Sequence, residues 1–324
     1  MSLRPEASTN MTTTSSGGHT LTFTTGEHML AGTFQPGAAT GTAPPGTAAL
    51  LVSGSGPVDR NSDAKQLATA VMAQVAERLA AAGVSSLRYD KRGVGESTGD
   101  FHAAGLYDNI EDARAALAAL RAQGGVDPDR VFVIGHSEGA IIATELAAAD
   151  DRLAGVVLVA GSAATGEQVL REQAVAVAES LPRPVTWLLR LLRKDIATLQ
   201  EKRLATLRAS TGDVMRMQLV KVNARWMREF LDHDPSPSLE AIRVPVLAVA
   251  GTKDIQAAPH HTERIGELAA GLVTIELIQD MTHLLRHEPG PATVRTYKQQ
   301  AKQPVLPDVL DLIATFCTTP AAHT

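Results

Sequence analysis

Apolar residues along this chain follow two alternating patterns. Ala48–Val52, Val131–Ile134, Gly155–Ala160 and Val244–Ala250 are short runs with almost no polar position, the mark of strands buried on both faces. Val84–Tyr89 and Leu272–Leu277 read as further strands with one wetter side. Between these runs lie stretches that are apolar once per helical turn. One passes through Leu67, Val71, Val75 and Leu79, another covers Ile110–Leu120, a third Thr262–Ala270, and a last follows Pro307. Strand and helix in alternation predict a parallel sheet with helices on both faces. At the start, His19–Thr24 and part of Met29–Phe34 alternate at period two around Gly26-Glu27, which predicts an antiparallel hairpin.

The pattern changes between Ser162 and Ser238. No strand is expected there, only helical runs broken at Leu181–Pro184 and at Thr211–Asp213. Within it, Met215, Leu219, Val222, Trp226 and Phe230 stand at i, i+4, i+7, i+11 and i+15, one apolar helical stripe. The resulting division is a polar, disordered leader over 1–18, a core of 19–161 and 239–324, and a helical cap of 162–238 inserted into it. In this reading Trp226 and Phe230, at the end of the stripe, roof a substrate pocket.

Composition narrows the picture. With 324 residues, 44% hydrophobic and 20% charged, the chain has material for a large globular core. A formal charge of −5 points away from nucleic acid and anionic membranes as partners. No apolar run is long enough to span a bilayer, and the polar N-terminus has no secretory apolar segment, so a cytoplasmic location is expected. Cys317 is the single cysteine. It excludes an intrachain disulfide and a cysteine-based metal cluster, and its apolar surroundings predict a buried, inert thiol.

The candidate chemistry centres on Gly135-His136-Ser137-Glu138-Gly139, which follows an apolar strand and precedes an Ala-rich helix. Strand, G-x-S-x-G, helix is a nucleophile elbow, which lifts a serine hydroxyl above the carboxyl end of a sheet. Gly95-Glu96-Ser97-Thr98-Gly99 matches the same pattern, but a polar loop precedes it and no helix of small residues follows. Context therefore selects Ser137 over Ser97. A serine needs a base to take its proton and a carboxylate to orient that base. Asp254 and His283 lie just past late strands, in the chain order that this architecture uses. Asp280 competes for the acid's place but is too close in sequence to His283. His136 is expected to be structural, and His260, His261 and His287 to serve at the surface or in support. Backbone N–H groups of Ser55, in Ser53-Gly54-Ser55-Gly56, and of Glu138 are the expected oxyanion donors.

Taken with Gly54–Arg60, Arg88–Ser97, Val244–Gln256 and the His283 loop, these segments resemble the bacterial esterase and serine-aminopeptidase-like group of α/β-hydrolases. The likeness runs over nearly everything after residue 19. Members commonly carry His-Gly before the oxyanion donor, where this chain has Ser53-Gly54. The resemblance implies an α/β-hydrolase fold, a mostly parallel doubly wound sheet with an N-terminal antiparallel hairpin and a cap. It implies also that Asp90 and Arg92 brace the loop near the site without a catalytic role.

The reading is a metal-free, cofactor-free serine hydrolase whose partner is a small-molecule ester with a short to medium acyl chain. Hydrolysis of aminoacyl amides, peptides or thioesters by the same residues is the alternative, and a non-catalytic binding protein on this fold is the rival from another class. Dehalogenase and epoxide hydrolase chemistry would require aspartate where Ser137 stands.

Overall fold

The first described elements are β1 (His19–Thr25) and β2 (His28–Gln35), an antiparallel hairpin in which Thr25 faces His28 across the Gly26-Glu27 turn. The computed structural model describes residues 17–180, 196–217 and 220–319, so the leader expected over 1–18 lies almost wholly outside the described residues. Next come β3 (Ala48–Val52), the two-residue pair β4 (Asp63–Ala64) and β5 (Leu67–Ala68), β6 (Ser85–Tyr89), β7 (Val131–His136) and β8 (Gly155–Val159). A second pair, β9 (Val214–Met217) and β10 (Val220–Asn223), precedes β11 (Val246–Gly251) and β12 (Val273–Ile278). The main sheet has the order β1-β2-β6-β3-β7-β8-β11-β12, parallel from β6 onward. The order turns back at β3, so β3 and β7 lie side by side and their carboxyl ends open next to one another.

Helices fill both faces. α1 (Val71–Ala81), α2 (Leu106–Arg121) and α3 (Glu138–Ala149) come first. α4 (Gly166–Glu179), α5 (Ile196–Arg208), α6 (Ala224–Asp232) and α7 (Ser236–Ala241) lie between β8 and β11. α8 (His260–Leu268), the single turn α9 (Tyr297–Gln300) and α10 (Pro307–Thr318) follow among the described residues. Alternation along each strand sorts the core into two layers. Leu50, Val133, Val156 and Ala248 pack with Ile110 of α2, Ile142 of α3 and Ile265 of α8. Leu51, Ile134, Val157 and Val249 pack with Val75 of α1 and Ile313 of α10. Cys317 is buried in this second layer, where desolvation pushes its thiol well above the ordinary range.

Two elements differ from the periodic reading. The first helix begins at Val71, not at Leu67, because Ala70 takes a left-handed backbone (φ 47°) that a helix cannot continue through. Leu67 instead pairs with Ala64. The larger correction lies in the 162–238 segment, which is not all helix. β9 and β10 form an antiparallel hairpin with Met215 opposite Val222. Val214, Val220 and Val222 are β-branched, and Met215-Arg216 and Lys221-Val222 alternate at period two. That alternation competes with the helical spacing of the same residues, and strand pairing prevails. Leu219 and the Leu181–Pro184 break lie outside the described residues. Among the described residues of the proposed stripe, Trp226 and Phe230 sit on a helix, one turn apart on α6, and Met215 and Val222 on strands.

The segment has a small core of its own, in which Leu204 and Leu207 of α5 meet Ala224 and Leu231 of α6, with Leu170 and Met215 alongside. Asn223 fixes where α6 starts. Its Oδ1 caps the helix by accepting from Trp226 N at 2.9 Å, and its Nδ2 donates to the Phe101 and Ala104 carbonyls at 2.8 and 2.6 Å. One side chain thus orients the helix and ties it to the loop before α2.

Candidate active site

Ser137 stands between β7 and α3 with φ 57° and ψ −120°, a backbone that a residue with a Cβ adopts only under strain. Its neighbours explain the two glycines. A methyl group on Gly135 would lie 2.0 Å from the Gly139 carbonyl oxygen, and one on Gly139 would lie 2.0 Å from that of Val52. Strand, turn and helix therefore close on one another with no side chain between them. This lifts the Ser137 hydroxyl out of the sheet at the amino end of α3.

The Ser137 hydroxyl lies 3.0 Å from His283 Nε2, and His283 Nδ1 lies 2.8 Å from Asp254 Oδ2. A carboxylate only accepts, so Nδ1 carries the imidazole proton and Nε2 is left to receive the serine's. Asp254 is 4% exposed and its other oxygen accepts from the Gln256 and Ala257 N–H groups at 2.8 and 2.9 Å. These two amides hold the carboxylate where it meets the ring. β11 delivers Asp254 and β12 leads to the His283 loop, so adjacent parallel strands bring acid and base together.

The base's own loop is braced from three sides. His136, the residue before Ser137, donates from Nε2 to the His283 carbonyl at 2.8 Å. Burial pushes the His136 imidazole down to about 3, with the neighbouring His283 as the next cause, so it is neutral and adds no positive charge beside the base. Arg286, 1% exposed, donates to the Leu284, Gln303 and Thr69 carbonyls at 2.6, 3.1 and 2.5 Å. Desolvation lowers its guanidinium to about 10, still a cation at neutral pH.

Glu138 contributes more than the backbone N–H expected of it from the sequence. Its side chain is buried at 4% exposure and fully engaged. Oε2 accepts from Lys91 Nζ at 2.7 Å, and Oε1 accepts from Asn109 Nδ2 at 2.8 Å and Trp226 Nε1 at 2.7 Å. The Trp226 indole stacks on Phe230, centroids 5.0 Å apart and planes within 8°. The residue after the candidate nucleophile thereby holds the α6 aromatic pair to the core. One signal for this was present in the sequence, an acidic residue and a lysine, Glu138 and Lys91, each at the carboxyl end of a parallel strand.

Next to Ser137 lies a cavity of about 240 Å³. Ile141, Leu170, Met227, Phe230 and Ala257 give it an apolar lining, and Trp226, Ser55 and Glu138 border it. Trp226 and Phe230 therefore flank the space beside Ser137, though they reach it from a nine-residue helix and not along a long stripe.

Other sequence candidates are placed elsewhere. Asp280 pairs with Lys253 at 2.9 Å on the surface. Ser97 is a loop brace: it donates to the Asp90 carbonyl at 2.8 Å and accepts from Ala31 N at 3.0 Å. Asp90 is held by Arg60 through its backbone N–H, Nε and Nη2, and Arg92 pairs with Asp112 at 2.6 Å. The two residues of the Asp90-Lys91-Arg92 loop thus brace it through partners outside the loop.

Residues 68–290 match the family model described as serine aminopeptidase, S33. Esterase EstD of Thermotoga maritima is 26% identical over 260 residues, which are 78% of this chain and 58% of that protein, so the chain spans less than two thirds of that relative's length. Among solved structures, DcsB in complex with its substrate analogue superposes with a TM-score of 0.63 at 16% identity, covering 94% of this chain and 99% of that one. Est1E of Butyrivibrio proteoclasticus, solved with ferulic acid, gives 0.59 at 14% identity, covering 92% and 100%. Esterase Pf2001 of Pyrococcus furiosus gives 0.56 at 15% identity, covering 92% and 88%. At such identities the structural likenesses carry the fold. The family match spans residues 68–290, most of the chain, so the protein belongs to the serine aminopeptidase S33 family of α/β-hydrolases.

Proposed function

We propose that this protein hydrolyses carboxylic esters of short to medium acyl chain through an acyl-enzyme on Ser137. The observation that carries the reading is the continuous chain from Ser137 Oγ through His283 to Asp254, at 3.0 and 2.8 Å, beside an apolar cavity. Ser137 Oγ attacks the ester carbonyl while His283 Nε2 takes its proton. The Ser55 and Glu138 N–H groups receive the oxyanion. The tetrahedral intermediate collapses, the alcohol leaves with the proton from His283, and a water activated by the same nitrogen releases the acid. Residues 162–238 act as a cap, with Trp226 and Phe230 roofing the acyl pocket. EstD, whose name is esterase, supports the ester reading.

The family's description favours a second reading, cleavage of aminoacyl amides. An aminopeptidase has to hold a substrate ammonium, which asks for an unpaired carboxylate in the pocket. Among the described residues lining the cavity, Glu138 is the one charged side chain, and Lys91, Asn109 and Trp226 already occupy it. This favours esters. The test is a panel of nitrophenyl esters against isosteric nitroanilides, including aminoacyl nitroanilides. Esters cleaved at least a hundredfold faster than matched anilides by kcat/KM is the expected result; an aminoacyl anilide as best substrate would transfer the function to the second reading.

A further inference from the structure

We propose that Glu172, His260 and His261 form a site for one divalent transition-metal ion, with zinc the best match, that ties α4 to α8 at the edge of the pocket. The three side chains offer a carboxylate oxygen and two imidazole nitrogens, all within 4.8 Å of one another. Glu172 Oε2 lies 3.0 Å from His261 Nε2 and 3.7 Å from His260 Nε2. Ligand atoms around a tetrahedral zinc lie roughly 3.3 Å apart, and these two separations straddle that value. A hydrogen bond accounts for His261 alone, because His260 is beyond hydrogen-bonding reach yet turns its Nε2 to the same oxygen.

The surroundings suit an ion. The second carboxylate oxygen, Oε1, accepts from Gln168 Nε2 at 3.2 Å, the kind of outer contact that fixes a ligating carboxylate. The His260 side chain is 60% exposed, so an ion has an open path and a position for water. Two nitrogens and one oxygen select zinc or a neighbouring transition metal over magnesium or calcium.

The consequence follows from position. Glu172 lies on α4, inside the segment we assign as the cap, and the two histidines open α8 of the core. Gln173, next to Glu172, lines the cavity and donates to the Gln256 carbonyl at 2.5 Å. A bound ion joins the two helices and restrains α4 over the pocket, slowing turnover of bulky esters. The ion site stands on its own donors, so its binding readouts are independent of the ester reading.

The test is calorimetric titration of the chelator-treated full chain with zinc chloride and, separately, magnesium chloride, with thermal unfolding in parallel. One zinc per chain and no saturable magnesium binding are expected. At a hundredfold excess over Kd, zinc should raise Tm by about 5 °C. His260→Ala, an exposed change that leaves the fold intact, and Glu172→Gln should each weaken zinc binding about tenfold or more, with metal-free ester turnover unchanged. No one-site binding and no rise in Tm would overturn the proposal. So would zinc binding of equal strength in His260→Ala, because that would put the ion on His283 or another donor.

Discussion

Ser137 holds a left-handed backbone beside two glycines that leave no room for a side chain, and strain of that kind costs on the order of 1–3 kcal/mol. The same economy of space governs the acid. Asp254→Asn keeps the shape but offers the imidazole the wrong tautomer, and kcat should fall by a factor on the order of a thousand or more. Asp280→Asn, on a surface pair with Lys253, should change kcat by less than about threefold. Steady-state kinetics of the two variants decides the assignment, and the reverse ranking would reassign the acid. His136 gives a prediction about stability. Its folded value, about 3, lies below the roughly 6.5 of an unfolded histidine, so the unfolded chain takes the proton first. Stability from this group is complete above about pH 6.5 and falls by up to about 1.4 kcal/mol per pH unit as acid is added, down to its folded value. Urea denaturation at pH 7 and pH 5 should show a smaller loss in His136→Asn than in the parent, by up to about 2 kcal/mol. Equal losses would mean that His136 is not held neutral.

At the scale of elements, α6 carries the least obvious work. Asn223 caps it and ties it to the 101–104 loop, and Trp226 bonds to Glu138 at the elbow. Asn223→Ala should cost about 1 kcal/mol for the cap alone and more for the two lost loop bonds, read from urea midpoints. A loss under about 0.5 kcal/mol would mean that solvent replaces all three bonds. Most strands of the sheet were legible in the sequence, because a strand buried on both faces has no polar position to hide it. The elbow was legible for a similar reason, since close backbone approach demands small residues at fixed spacing. The β9–β10 hairpin was not. Its residues satisfy a helical period and a strand period together, and pairing between segments, which a local pattern does not contain, decides between them. The Glu138 side chain escaped for the same reason, because Lys91, Asn109 and Trp226 reach it from 29 to 88 positions away along the chain.

For the whole molecule, two layers of core pack on the faces of the sheet, and side chains of α4 and α6 line the cavity beside Ser137. If Trp226 and Phe230 roof the acyl pocket, each added methylene contributes about 0.8 kcal/mol, or about fourfold in kcat/KM, until the cavity is full. A nitrophenyl ester series from acetate to palmitate should rise, peak at short to medium length, and then fall as the pocket overfills. Trp226→Ala should move the peak to longer chains; a steady climb to palmitate, or an unchanged profile in the variant, would remove the roof. The proposed ester hydrolysis rests on one covalent bond, formed at Ser137. Treatment with a fluorophosphonate, followed by intact-mass analysis and peptide mapping, tests it most directly. One adduct per chain is expected on the peptide containing Ser137, lost in a folded Ser137→Ala variant and kept in Ser97→Ala. No adduct, or an adduct on Ser97, would contradict it.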